Sequence, residues 1–157
     1  MARPPLSDPA MLLATVGGVG LMPWAPGTSG SLVGVGLAWL VSTHFGAGAL
    51  AALCAVLFLV GWWASERVVR ASGVADPSYV VIDEVVGQGL VLATVAPTVE
   101  RYAAGFLLFR LFDILKPWPV SGVERRFRNG FGIMADDALA AAYAWLILYV
   151  SLKYFRY

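Results

Sequence analysis

Gly48-Ala49-Leu50-Ala51-Ala52-Leu53-Cys54-Ala55-Val56-Leu57-Phe58-Leu59-Val60-Gly61-Trp62-Trp63-Ala64 runs for 17 residues without a charged side chain. Crossing a hydrocarbon core of ~30 Å takes about 20 residues of helix, so this stretch and its flanks predict a membrane helix. Working outward, Ser31 to Phe45 is nearly as apolar, with His44 close to its end. Asp83 to Ala96 is apolar after an acidic start and is stopped by Pro97, and Ala138 to Leu152 follows a second acidic start. Glu100 to Lys116 differs, because Arg110 and Asp113 interrupt an otherwise apolar helix. The pattern predicts helices near 30–46, 48–70, 83–96, 100–116 and 136–154, with 9–21 as a helix lying on or dipping into the membrane. The expected fold is an all-α integral membrane bundle of about four to six helices, in a single domain over residues 1–157.

Composition supports this reading. Only 13% of the residues are charged and 59% are hydrophobic, whereas soluble domains carry roughly 25% charged residues. The net charge is +1, and no basic run is interleaved with aromatics, so nucleic acid is not an expected partner. One cysteine, Cys54, lies inside the quoted apolar run, which excludes an intrachain disulfide and a thiolate metal cluster. Ala10 to Met22 has the character of a signal-peptide core, but it leads into Pro23-Trp24-Ala25-Pro26-Gly27 rather than a small-residue cleavage site, and is read as part of the mature protein.

If the five helices alternate direction, side one holds the N-terminus and the loops 65–83 and 116–136. Side two holds the 44–48 and 97–101 turns and the C-terminus. Side one then receives Arg3, Arg67, Arg70, Lys116, Arg125, Arg126 and Arg128, against Arg101, Lys153 and Arg156 on side two. By the positive-inside rule, side one is cytoplasmic. Asp8, Glu66, Asp76, Asp83, Glu84, Asp113, Glu124, Asp136 and Asp137 gather on it too, leaving Glu100 elsewhere.

Three acidic groups stand out: Asp83-Glu84, Asp113 and Asp136-Asp137. Carboxylates in a first turn cap helices, so capping explains either acidic pair taken alone. Asp113 lies toward the end of its helix, where negative charge opposes the helix dipole. It serves either in a salt bridge with Arg110 or Lys116 or in a functional site. Together, acids at membrane-side helix ends with Arg and Lys nearby have the chemistry of a site for a hard cation and a phosphate. Magnesium favours oxygen ligands and often retains waters, so a few carboxylates and substrate oxygens suffice.

Pro26-Gly27-Thr28-Ser29-Gly30-Ser31 precedes an apolar helix and offers free N–H groups and hydroxyls to a phosphate. No lysine completes a Walker A loop. Gly30, Gly34 and Gly36 are also spaced as small residues that allow close helix packing. Glu66 forms an i,i+4 pair with Arg70 or joins the site. Arg125, Arg126 and Arg128 meet anionic lipid head groups or the substrate phosphate. Mid-span Cys54 and side-two His44 argue against covalent phosphocysteine or phosphohistidine chemistry, which leaves metal-activated water.

Pro23-Trp24-Ala25-Pro26-Gly27-Thr28 with Gly30-Ser31, Ile82-Asp83-Glu84 with Gly87-Gln88, Phe109-Arg110 leading to Phe112-Asp113, Lys116-Pro117-Trp118-Pro119, and Gly132-Ile133-Met134 with Asp136-Asp137 together resemble the phosphatidylglycerophosphatase A family. Their order covers about residues 10 to 145; Ala141-Ala142 departs from an expected Ala-Gly. The resemblance implies an all-helical, magnesium-dependent enzyme that converts phosphatidylglycerophosphate to phosphatidylglycerol and phosphate. Its expected place is a bacterial-type inner membrane, with several crossings and the site toward the cytoplasm. Asp83, Glu84, Asp113, Asp136 and Asp137 are the expected magnesium ligands, one of them serving as general base. Arg110 and Lys116 are expected to neutralise phosphate charge, and Thr28 and Ser31 to contact phosphate or cap a helix. Two rival readings are a small transporter or scaffold with a structural acidic network, and a lipid head-group transferase. A transporter places its ionisable groups at the midplane and is often built from repeated halves, neither of which is visible here. The transferase needs an Asp-Gly-x-x-Ala-Arg pattern, which is not evident either.

Overall fold

The structure, a computed structural model, describes residues 3–154. Arg156, assigned above to side two, lies outside the described residues. Within them the regular elements are all helical: α1 (Pro9–Ala14), α2 (Pro26–Phe45), α3 (Ala47–Ser72), α4 (Ile82–Leu92), α5 (Val99–Leu115), α6 (Val120–Arg126) and α7 (Gly130–Tyr154), with a 3-10 turn at Val19–Leu21.

α4 is the axis of the bundle. Nine of its residues are buried, among them Val85, Val86, Gln88 and Val91, and α2, α3, α5 and α7 all pack on it. At 11 residues it is ~16 Å long, too short to cross a bilayer alone. The apolar run that predicted a crossing over 83–96 is instead a helix buried inside protein. Small residues let the neighbours close on it. A Cβ at Gly30 would stand 2.9 Å from Val81 Cβ, and one at Gly34 would stand 2.9 Å from Gln88 Cβ. Gly36 faces open space, so the packing reading holds for the first two glycines and not the third.

Two helices, α3 and α7, are long and apolar enough to cross a membrane. The most apolar 18-residue window of α3 is only 22% buried within the protein. A core helix of a soluble protein would be mostly covered, and instead Val56, Leu59, Trp62 and Trp63 face outward. The corresponding window of α7 is 44% buried, so neither helix is mostly covered, which suggests a membrane protein.

Three boundaries differ from expectation for tertiary reasons. α7 begins at Gly130, not near 136, because Glu66 of α3 accepts the Gly130 N–H at 2.9 Å and Asn129 Oδ1 accepts the Gly132 N–H at 3.1 Å. Those contacts cap a Gly-rich first turn that propensity alone disfavours. α2 begins at Pro26, so the segment expected to precede it forms its first turns. The 9–21 stretch is not one surface helix. α1 ends at Ala14, Gly17 and Gly18 turn the chain with positive φ, and Ala10, Met11 and Ala14 bury against Ala64, Val68 and Ile82. α6, in what reads as a polar loop, had no counterpart in the sequence reading.

The chain direction alternates from α2 to α5. The starts of α2, α4 and α7 and the ends of α3 and α5 therefore meet at one end of the bundle, tied by Glu66 to Gly130 and by Lys116 to Asp136. At the other end, Tyr102 donates to the Ala38 carbonyl at 3.4 Å, and Trp145 Nε1 donates to Thr94 at 2.7 Å.

Candidate metal and phosphate site

Asp83 and Glu84 occupy the first turn of α4, but the residue that caps this helix is Val81, and it makes no side-chain cap bond. The two carboxylates point into the bundle instead. Asp137 reaches them from α7, and one carboxylate oxygen from each of Asp83, Glu84 and Asp137 lies within 4.8 Å of the others. Asp83 and Asp137 are buried, Glu84 half-buried. Asp83 Oδ1, Glu84 Oε2 and Asp137 Oδ2 have no hydrogen-bond partner among the described residues. Capping therefore accounts for neither pair: Asp136 and Asp137 sit two turns inside α7, and their neighbours in the fold are side chains.

Three carboxylates this close and this buried repel one another unless protons or a cation neutralise them. Carboxylate oxygens from two helices come within 4.8 Å of one another, a donor set that could hold a hard cation.

The remaining charges surround this trio. Asp113, on the last turn of α5, is bonded to Arg110 one turn earlier, and it lies within interaction range of both Asp137 and Glu84. The expected salt bridge thus exists, and it stands at the edge of the acidic cluster rather than apart from it. Lys116 follows α5 with left-handed φ of 43°, which turns its side chain toward α7. Its Nζ donates to Asp136 Oδ2 at 2.8 Å. Asp136 Oδ1 accepts the Asp137 N–H at 3.0 Å, which ties the two neighbours together.

The first turn of α2 closes another wall. Gly27 lies against Glu84 and Arg110 so tightly that a Cβ there would collide with the Glu84 carboxylate and stand 3.2 Å from the Arg110 guanidinium. The Gly27 and Thr28 N–H groups belong to a helix first turn, where no intrahelical partner exists. Thr28 is half-exposed there. Ser31 is turned away: it is fully buried and its Oγ donates to the Gly27 carbonyl at 3.0 Å.

Of the residues singled out in the sequence, Asp83, Glu84 and Asp137 form the trio, Arg110, Asp113, Lys116 and Asp136 frame it, and Thr28 follows Gly27 in the first turn of α2. Glu66 is outside it, committed to Arg70 at 2.8 Å and to the start of α7. Gln88 belongs to the Ile82-Asp83-Glu84, Gly87-Gln88 stretch. It is wholly buried one turn below Glu84, and neither amide atom has a partner among the described residues. A lone amide in an apolar run was the available signal.

The sequence model of the family described as Phosphatidylglycerophosphatase A matches residues 12–152. A protein named phosphatidylglycerophosphatase A from Haemophilus influenzae is 40% identical over 92% of this chain and 89% of its own length. One of the same name from Escherichia coli is 35% identical over 94% of this chain and 86% of its own. A Bacteroides thetaiotaomicron protein named "Putative phosphatidylinositol-3-phosphatase" is 36% identical over 90% of this chain and 92% of its own. No solved structure gives a significant match.

Proposed function

The chain belongs to the phosphatidylglycerophosphatase A family and is a phosphatase, and from that premise we propose that it hydrolyses the terminal phosphomonoester of phosphatidylglycerophosphate in a magnesium-dependent reaction. The observation that carries this reading is the trio Asp83, Glu84 and Asp137, with its unpartnered buried oxygens set among Arg110 and Lys116. The all-oxygen donor set suits magnesium, which Asp83, Glu84 and Asp137 would hold. When bound there, the ion supplies positive charge for the phosphate oxygens and makes a water a better nucleophile.

The chain's own groups account for the rest. Arg110 and Lys116 stand beside the trio as the cations for the phosphate, and Asp113 and Asp136 fix their direction. A water oxygen forms the new P–O bond as the bond from phosphorus to the glycerol oxygen breaks. A cluster carboxylate receives the water's proton and returns it to the departing glycerol oxygen, which becomes the hydroxyl of phosphatidylglycerol. Thr28 and the first-turn N–H groups of α2 provide further donors for phosphate.

In this reading the bundle crosses the membrane several times, as a bacterial-type inner-membrane protein, with its acidic end at the cytoplasmic surface. Trp24 and Trp118 support that depth. They follow Pro23 and Pro117 beside the site, are 84% and 79% exposed, and such aromatics favour the head-group layer. The substrate then keeps its acyl chains in the bilayer while its head group reaches the site and its terminal phosphate meets the trio.

The test is phosphate release by the purified protein in mixed micelles at saturating magnesium. The substrates are phosphatidylglycerophosphate, phosphatidic acid, phosphatidylinositol 3-phosphate and water-soluble glycerol phosphate. The highest kcat/KM is expected for phosphatidylglycerophosphate and the lowest for glycerol phosphate, which lacks the membrane partitioning of ~0.8 kcal/mol per buried CH₂. Preference for the inositol lipid would reassign the head group, and preference for glycerol phosphate would overturn the lipid assignment.

A further inference from the structure

Beside the acidic trio lies a cavity of about 710 Å³, within the ~300–1,000 Å³ of small-molecule sites. Val74, Ala75 and Asp76 of the α3–α4 connection form one wall. Arg125 at the end of α6 and Arg128 before α7 form another, and Asp136 of α7 also lines it. Nothing in the proposed hydrolysis uses Arg125 or Arg128, and both are exposed.

Asp136 connects the cavity to the site. Consecutive helix residues diverge by about 100°, so Asp136 lines this cavity while Asp137, the next residue, enters the trio. Their Cα atoms are ~3.8 Å apart. Lys116 is bonded to Asp136 and stands at the boundary between cavity and trio. A ligand with two phosphate groups joined by a short polyol can therefore place one at the trio and the other against the two arginines, whose planar guanidinium groups suit phosphate oxygens.

We propose that this cavity is a subsite for the bridging phosphodiester and glycerol of the lipid head group, with Arg125 and Arg128 as its anion-binding groups. The inference rests on the reading of the acidic trio as a lipid phosphomonoester site. It makes selectivity for a second phosphate a property of α6 and the α6–α7 connection, apart from the groups that carry out hydrolysis.

Arg126 supplies the control. It is equally exposed, lies next to Arg125 and does not line the cavity. The experiment compares kcat/KM for phosphatidylglycerophosphate and phosphatidic acid in the same micelles, for the wild type, Arg125→Ala/Arg128→Ala, Arg125→Lys/Arg128→Lys and Arg126→Ala. Phosphatidic acid has no bridging phosphodiester. The double alanine variant is expected to lose about 10-fold or more on phosphatidylglycerophosphate, mainly through KM, as removal of a charged hydrogen-bond partner does. It should stay within about 2-fold of wild type on phosphatidic acid. The lysine variant should recover part of the loss, and Arg126→Ala should match wild type. Equal losses on both lipids, or the same loss in Arg126→Ala, would assign these arginines to general attraction for an anionic surface and overturn the subsite. No loss in the double variant would overturn it as well. A wild type that releases no phosphate from either lipid fails the proposed function itself, which separates the two ideas.

Discussion

Asp136 and Asp137 are neighbours with the same side chain, yet one is bonded to Lys116 and lines the outer cavity while the other enters the trio with Asp83 and Glu84. Their acidity was legible in the sequence. Their division of labour was not, because the phase of α7 around its axis is set by its packing against α3, α4 and α5. Asp113 shows the same limit. Its spacing from Arg110 marked a pair, but only the fold sets that pair against Glu84 and Asp137. The account predicts that Asp113→Asn, which leaves Arg110 without its ionic partner, lowers kcat on phosphatidylglycerophosphate by about 10²-fold while circular dichroism and gel filtration stay those of wild type. Turnover within a few-fold of wild type would make the pair purely structural. Loss of folding would say the same.

Among the elements, the long apolar helices were the most legible. α3 was placed at 48–70 from its uncharged run and extends over Ala47–Ser72, where Gly73 takes left-handed φ of 72° and its N–H bonds the Val69 carbonyl. The sequence marks α4 but not what covers it, because a short apolar run reads alike whether lipid or protein surrounds it. α6 was missed because Val120-Ser121-Gly122-Val123-Glu124-Arg125-Arg126 carries no apolar stripe long enough to signal a helix. The start of α7 was missed because its cap comes from Glu66, 64 residues away in sequence. The α2–α4 contact gives a prediction at this scale. Gly34→Val forces atoms into Gln88 and Val85 and is expected to cost about 1–3 kcal/mol, seen as a lower Tm in detergent and a matching loss of activity. Gly36→Val, which meets nothing within 4 Å, should change stability by no more than about 0.5 kcal/mol. Equal shifts for the two variants would contradict the close packing of α2 on α4.

For the whole molecule, the gathering of carboxylates on one side was legible from alternating helices and loop charges, and the structure brings Asp83, Glu84, Asp113, Asp136 and Asp137 to one end of the bundle. Which of them could share a cation was not legible, since that depends on distances across helices. The proposed orientation can be read with single cysteines in a Cys54→Ala background. Ser78→Cys and Arg126→Cys, at the acidic end, should react with an impermeant thiol reagent only when the cytoplasmic face is open. Ala47→Cys and Lys153→Cys should react from the opposite face. Labelling of Ser78→Cys and Arg126→Cys from different faces would split the site across the membrane and contradict the arrangement.

The central claim is that the α4–α7 carboxylate trio is a magnesium-dependent phosphatase centre. Its most direct measurement is the initial rate of phosphate release from phosphatidylglycerophosphate, first in excess chelator and then across a magnesium titration, for wild type and Asp137→Asn. Wild type is expected to be silent in chelator and to recover with magnesium. Asp137→Asn, although folded, should remain at least about 10²-fold slower in kcat at saturating magnesium. Full turnover by wild type in excess chelator, or near-normal turnover by Asp137→Asn, would contradict it.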